Sequence, residues 1–340
     1  MAKSVKLADI AKEMGVSVVT VSKALSGQKG VSEQMREKII KLADKLGYVQ
    51  PSVAKKRAQI TSYNIGVLIR EGYLGGYSSF YWQMYQQVAR SCVDRGSFSM
   101  LEVVTSVMEK DSILPMIVSE SKIDGLIVIG ALSDAYITFL QRQLNIPLVF
   151  MDFMDKKQAT DVVISDSYYG GYYMTDYLIR MGHKNIAYVG TVGNTGSITD
   201  RYLGYMKALL EHGIPLKKEW IIDDRDDSGE YIDEENKMIL PKEMPTAFFC
   251  NCDLTAGMLI KKLHKAGYAV PEDISVVGYD DFIYPGLCDI GITTYAVDID
   301  EMSSVCVDNL IKKMSGQKGG AAVSVIEGKM VIRESVRKIK

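Results

Sequence analysis

Apolar residues recur at two different periods along this chain, and the change of period divides it. Over the first fifty residues the spacing is helical. Leu7, Ile10, Ala11 and Met14 stand at i, i+3, i+4 and i+7, one face of a short amphipathic helix that Gly15 stops. After a turn through Val16, Ser17 is placed to cap a second helix whose inward side is Val21, Ala24 and Leu25, ending before Gly27. Three or four residues separate the two, which is helix-turn-helix spacing. A third helix opening at Ser32 carries Met35, Ile39, Leu42, Ala43 and Leu46 as its core stripe and closes at Gly47.

From Asn64 onward short β-branched runs alternate with helical stretches, the signature of parallel α/β units. Strands are predicted at 64–69, 99–104, 125–130, 147–152, 161–165, 186–190, 246–250 and 275–280, with a late strand at 292–298 returning to the first lobe. The predicted architecture is an all-α helix-turn-helix headpiece (1–49), a linker (50–61) and an α/β body (62–340) of two doubly wound parallel-sheet lobes. The N-lobe is assigned 62–160 and 293–322, and the C-lobe 161–290 and 323–340. A cleft should lie between the lobes.

Composition alters this picture chiefly through charge. With 47% hydrophobic and 24% charged residues the chain is neither disordered nor fibrous. Its net charge of −2 is unevenly spread. Residues 1–60 hold twelve Lys and Arg against five Asp and Glu, a net +7, which leaves −9 on the other 280 residues. A basic head on an acidic body is the footprint of a nucleic-acid-binding module on a carrier of another purpose.

The five cysteines are odd in number and sit in hydrophobic segments, which predicts reduced thiols rather than a disulfide framework. Cys250 and Cys252 are one residue apart, and no His/Cys pair has zinc-finger spacing, so neither a metal nor another cofactor is expected. No apolar run reaches the ~18 residues of a membrane span and no secretion signal opens the chain, so a cytoplasmic protein is expected. Catalysis is not expected either. The three histidines (His183, His212, His264) lie near no nucleophile elbow or metal motif. The glycine-rich GTVGNTG (190–196) is spaced GxxGxxG rather than the dinucleotide-binding GxGxxG.

On the second helix the outward positions Val18, Val19, Ser22, Lys23 and Ser26 are small, apolar or cationic. Val18 and Val19 can touch thymine methyls, while Lys23 and the hydroxyls can reach phosphates or base edges. In the body, residues just after the strands are where open α/β sheets bind ligands. Those residues are Glu71 with Phe80 and Tyr81, then Asp152, Asp166, Arg201, Asp253 and Asp280. Such polar groups beside aromatic faces suit a polyhydroxylated ligand such as a sugar, although Asp166 and Asp253 are also well placed as helix caps.

Residues 7–48, LADIAKEMGVSVVTVSKALSGQKGVSEQMREKIIKLADKLGY, resemble the headpiece of the LacI/GalR transcription regulators. Residues 62–335 are similar to the periplasmic-binding-protein-like core of the same family, through SDSYYGGYYMTDYLIRMGHKNIAYVG, TDRYLGYMKALLEHGI and PEDISVVGYDDF. The resemblance implies DNA contacts at Lys6, Leu7, Ser17, Val18, Val19, Thr20, Ser22, Lys23 and Ser32, and at Ala54, Lys55 and Arg57 of the segment QPSVAKKRAQITS. There the chain departs from the family, since Arg57 stands where an apolar wedge residue is expected. An arginine can occupy a narrow minor groove but cannot unstack a base step.

Effector contacts are implied at Arg201 and Asp280, with Phe80, Tyr81, Asp152 and Asp253 around them. Many members carry Asn-Asp where this chain has Cys252-Asp253, which removes a side-chain amide. The implied partners are an inverted-repeat operator in double-stranded DNA, a small carbohydrate effector and a second copy of the chain, with repression the usual mode. A regulator of this architecture answering to a purine or a phosphoprotein corepressor is the alternative.

Overall fold

The computed structural model describes residues 6–26, 28, 30–46, 48, 62–74, 79–155, 160–226, 229, 231–232, 238–282, 284, 286–317 and 321–340. Two compact units divide the chain, 1–61 and 62–340. Ala54, Lys55 and Arg57, with the rest of the 50–61 linker, lie outside the described residues.

The first unit contains α1 (Leu7–Met14), α2 (Val18–Leu25) and α3 (Glu33–Leu46). Gly15 ends α1 at φ 65°, a left-handed conformation that costs glycine nothing. Ser17 starts α2, its hydroxyl accepting the Thr20 N–H at 3.1 Å. The predicted inward positions meet: Ile10, Ala11, Val21, Ala24, Ile39 and Ala43 are buried, ringed by Leu7, Met14, Leu25, Met35, Leu42 and Leu46. Arg36 ties the connection between α2 and α3, its Nη2 donating to the Gln28 carbonyl at 2.7 Å.

The second unit opens with β1 (Asn64–Arg70), α4 (Phe80–Asp94), β2 (Phe98–Val104), α5 (Ser106–Asp111), α6 (Met116–Ser119), β3 (Gly125–Ile129), α7 (Asp134–Gln143), β4 (Leu148–Met151) and β5 (Asp161–Ser165). It continues with α8 (Ser167–Arg180), β6 (Ile186–Val189), α9 (Gly196–Glu211), β7 (Ile221–Ile222), β8 (Ala247–Cys250), α10 (Asp253–Lys265) and β9 (Ser275–Val277). β10 (Thr294–Ala296), α11 (Ile299–Met314), β11 (Val323–Ile326) and β12 (Lys329–Val331) complete it.

One sheet has the order β11-β5-β4-β3-β1-β2 and the other β7-β6-β8-β9, and every pairing within both is parallel. Helices cover both faces of each sheet, so the central strands are apolar throughout, as β3 and β4 illustrate with no exposed residue.

The lobe boundaries differ from those read in the sequence. Residues 161–165 and 323–326, assigned there to the C-lobe, form the β5 and β11 strands of the first sheet. The strand at 292–298, assigned to the N-lobe, lies instead beside β9, through the bridges Val277–Thr293 and Asp280–Ala296, and pairs antiparallel with β12. It is α11 that returns to the first lobe, packing on α4, β4 and β5. Hydrophobic period identifies a strand but carries no information about which of two similar sheets accepts it.

The chain therefore crosses between lobes three times: after β5, after β10 and after β11. The crossings are laced together. Asp166 N–H donates to the Ile326 carbonyl at 2.9 Å, Gly328 N–H donates to the Tyr295 hydroxyl at 3.0 Å, and the Tyr279 hydroxyl donates to the Asp166 carbonyl at 3.2 Å.

In the C-lobe α8 and α9 pack backbone against backbone. A Cβ on Gly204 would overlap the Tyr168 carbonyl oxygen and stand 2.6 Å from the Tyr172 nitrogen, and one on Gly171 would overlap the Arg201 carbonyl. Both positions thus require glycine by close approach.

Candidate functional site

Each sheet has a topological switch point, between β1 and β3 in the first lobe and between β6 and β8 in the second. The carboxyl ends of these strands face one another across a cavity of about 510 Å³. That is the size and the place at which doubly wound folds bind small ligands.

The structure brings Phe80, Tyr81, Asp152, Arg201 and Asp280 to this cavity. Phe80 and Tyr81 open α4, whose first turn is capped by the Ser79 hydroxyl accepting the Tyr81 N–H at 3.1 Å. Tyr81 stacks on Tyr73, with ring centroids 4.3 Å apart. Asp152 follows β4 and Asp280 follows β9, both with positive φ (67° and 99°), a strained backbone that turns the chain sharply at the sheet edge.

Arg201, on the second turn of α9, reaches the same space. It is 5% exposed, places its guanidinium carbon 3.6 Å from the Tyr279 ring centroid, donates from Nη1 to the Asn251 carbonyl at 2.6 Å, and holds Nη2 3.2 Å from Asp280 Oδ1. The N-lobe carboxylate is tied differently, since Asp152 accepts a hydrogen bond from the Tyr81 side chain. Among the described residues Arg201 Nε is buried without a hydrogen-bond partner, and the buried Asp280 Oδ1 has no hydrogen bond beyond its 3.2 Å ion pair with Arg201 Nη2.

Burial pushes the Asp152 carboxyl up to about 6 and that of Asp280 up to about 7, against the pull of Arg201 on both. Both values lie above the ordinary carboxylate range near 4, so the folded body holds these protons more tightly than the unfolded chain does. The stability they contribute is complete below that range and is lost as pH rises through 6 and 7. Thermal melts between pH 5 and 8 should show a decline that Asp280→Asn makes shallower. Parallel profiles for the two proteins would contradict this account.

Asp253 is placed elsewhere. Cys252 and Leu254 line the cavity, but the Asp253 carboxylate turns beneath it and accepts the Phe282 N–H at 2.9 Å, in a small separate pocket with Arg333. As the first residue of α10 it is directed by the helix rather than by the strand before it. Two other candidates are caps. Asp166 accepts the Tyr169 N–H at the start of α8, and Glu71 accepts the Ser106 N–H at 2.7 Å at the start of α5. Cys252 Sγ lies 3.3 Å from Thr255 Oγ1, while the Asn251 amide before it turns inward to the Val189 carbonyl and Asp224.

Several lining residues are not among the candidates named individually from the sequence. Arg70 pairs with Glu109 at 2.9 Å, Asn194 and Thr195 come from the glycine-rich segment after β6, and Ser197 from the first turn of α9. Arg225 and Tyr231 come from the irregular stretch after β7. Only the polar run DDRDDSG behind the short apolar WII pointed to that stretch.

On the first unit the exposed face of α2 presents Val18 (45% exposed) and Val19 (62%) at its N-terminal end, with Ser22 and Lys23 also exposed. Ser17 and Thr20 are partly committed to each other, their hydroxyls 2.8 Å apart. Lys6 is the residue before α1, its N–H donating to Asp9 Oδ2 at 2.7 Å. Leu7 is half-buried and Ser32 exposed.

Residues 6–51 match the family described as bacterial regulatory proteins, lacI family, and residues 175–336 match a periplasmic binding protein-like domain. The HTH-type transcriptional repressor PurR of Photobacterium profundum is 27% identical over 330 residues, which cover 97% of this chain and 98% of that one. The PurR of Vibrio vulnificus is 28% identical over 332 residues, again 97% and 98%. Among solved structures, the transcriptional regulator CelR in complex with cellobiose shares the fold at a TM-score of 0.67, with 21% identity over 97% of this chain and 99% of that one. In the described residues no helix is long and apolar enough to cross a membrane.

Proposed function

This chain belongs to the LacI family of bacterial regulatory proteins, DNA-binding transcriptional repressors rather than enzymes, and from that premise we propose that a sugar bound between the two lobes of its body sets its affinity for operator DNA. The observation that carries the reading is the Arg201–Asp280 pair, 3.2 Å apart and lining the cavity, with Arg201 Nε lacking a hydrogen-bond partner. A sugar hydroxyl both accepts and donates, so it suits a guanidinium beside a carboxylate. The stacked Tyr73 and Tyr81 offer the apolar face that a pyranose ring requires.

A thermal-shift screen across sugars and purines tests this, with operator affinity followed by fluorescence anisotropy. A sugar should raise the melting temperature and change operator affinity together. Stabilisation by a purine base alone would give the site to the ligand class that the name PurR suggests for the relatives.

The DNA-reading surface follows from exposure and sequence position. Val18 and Val19 make apolar contacts in the major groove, Lys23 and Ser22 take phosphates or base edges, and Lys6, Leu7, Ser17, Thr20 and Ser32 flank them. Two copies of the chain, joined through their bodies, read an inverted repeat. Lys23→Ala should weaken binding to all sequences by a similar factor and reduce the slope of log affinity against log salt by about 1, whereas Val19→Ala should change the base preference. An unchanged salt slope in Lys23→Ala would remove that residue from the phosphate-contacting set.

A further inference from the structure

Charge around the cavity is not evenly matched. Arg70 has Glu109 at 2.9 Å, and Arg201 has Asp280 at 3.2 Å, with Asp152 close enough to act on it. Arg225 is held differently. Its side chain is 13% exposed and lines the cavity, and its carboxylate neighbour Asp224 stands 3.4 Å from Nη1, well beyond the ~2.8 Å of a charge-assisted hydrogen bond.

Asp224 is heavily engaged by other donors. It is 1% exposed and accepts from the Thr191 N–H at 2.9 Å, from Asn251 Nδ2 at 2.6 Å and from Thr255 Oγ1 at 2.7 Å. Those three bonds fix its orientation for the loop and leave the guanidinium a poor share. Meanwhile Tyr231, which also lines the cavity, holds Arg225, its ring centroid 4.4 Å from the guanidinium carbon and its hydroxyl accepting from Nη2 at 2.8 Å. A planar cation, stacked in place and loosely paired, is a preformed receptor for a carboxylate.

Resting on the sugar reading above, we infer that the effector is a sugar acid, and that Arg225 takes its carboxylate while Arg201 and Asp280 hold its hydroxyls. The raised carboxyls of Asp152 and Asp280 favour the same class, because partial protonation near neutral pH lessens the negative charge an anionic ligand must face.

The test uses the full chain and matched sets of probes in thermal shift and calorimetry: D-galacturonate and D-glucuronate, D-galactonate and D-gluconate, the uronate methyl esters, the parent aldoses, and the 6-phosphates. A carboxylate-bearing member should bind at least about tenfold more tightly than its ester or aldose. Arg225→Gln should erase that ratio, and Arg225→Lys, which keeps the charge without the planar fork, should retain part of it. Melting temperatures without ligand establish that both variants fold.

Preference for neutral aldoses overturns the sugar acid and leaves the sugar reading standing. Preference for the 6-phosphates overturns the carboxylate. If none of these binds while a purine base shifts the melting temperature in the screen described above, both this inference and the reading beneath it are overturned, and a panel that shifts nothing also counts against the inference.

Discussion

Arg201→Ala is expected to abolish the change in operator affinity on effector addition while operator binding itself persists. The guanidinium is almost fully buried, and two carboxylates from different lobes depend on it. Its removal leaves Asp152 and Asp280 in a low-dielectric space without their cation. Breaking a buried charge pair from one side costs about 3–5 kcal/mol, here reduced by protonation of carboxyls already close to neutrality.

The body should therefore melt earlier, most clearly above pH 7, where protons are scarce. The head is a separate compact unit and keeps its own core of Ile10, Val21 and Ile39, so its DNA contacts survive. Anisotropy titrations with and without effector provide the measurement. Arg201→Lys separates the two roles: it restores much of the stability, but a point charge cannot stack on Tyr279 and donate to the Asn251 carbonyl at once, so the response stays lost. Loss of operator binding together with the response would place Arg201 in folding alone.

Gly204→Val should be the most destabilising single change in the C-lobe. The new side chain meets backbone atoms of α8 at Tyr168 and Tyr172, which cannot rotate aside. Either α9 lifts away or both helices deform, and overpacking of this kind costs about 3 kcal/mol or more. Arg201 sits three residues earlier on the same helix, so any displacement also moves the guanidinium out of register with Asp280.

The expected result in urea is a lower midpoint with an unchanged slope, together with weakened effector binding. Gly196→Ala on the first residue of α9 is the control, since nothing lies within 4 Å of its would-be Cβ. It should be neutral or stabilise by up to about 1 kcal/mol. Comparable losses in the two variants would refute the close-approach explanation.

The parts of this protein legible in its sequence are those governed by local period and by position after a strand. Helical spacing located α1 to α3, and β-branched runs located every strand of the two sheets except β7 and β11, which no predicted strand covers, as none covers β12. The rule that ligands sit at strand ends pointed to Asp152, Arg201 and Asp280, and the structure gathers these with Phe80 and Tyr81 around one cavity.

Sheet membership was not legible. β5 is a short apolar run that would suit either sheet, and β11 is a short edge strand with no buried residue, so only long-range pairing places them. Asp253 follows a strand like the others, yet the helix it begins rotates it out of the cavity. Arg225 and Tyr231 lie in irregular segments and Tyr73 in a single 3-10 turn (Glu71–Leu74), where no period indicates which way a side chain points. The family resemblance at the head reaches further than periodicity there, because it rests on a nearly continuous match rather than on spacing alone.

The three lobe crossings have a mechanical consequence. A single tether would let two bodies swing and twist freely, whereas three short straps, cross-linked at Asp166, Tyr279, Tyr295 and Gly328, leave them one soft degree of freedom. Twist would stretch one strap against another, and sliding would break their mutual hydrogen bonds. Rotation about the line of the straps does neither. A ligand held between the lobes in the way proposed above would therefore be converted into one angular displacement about that line.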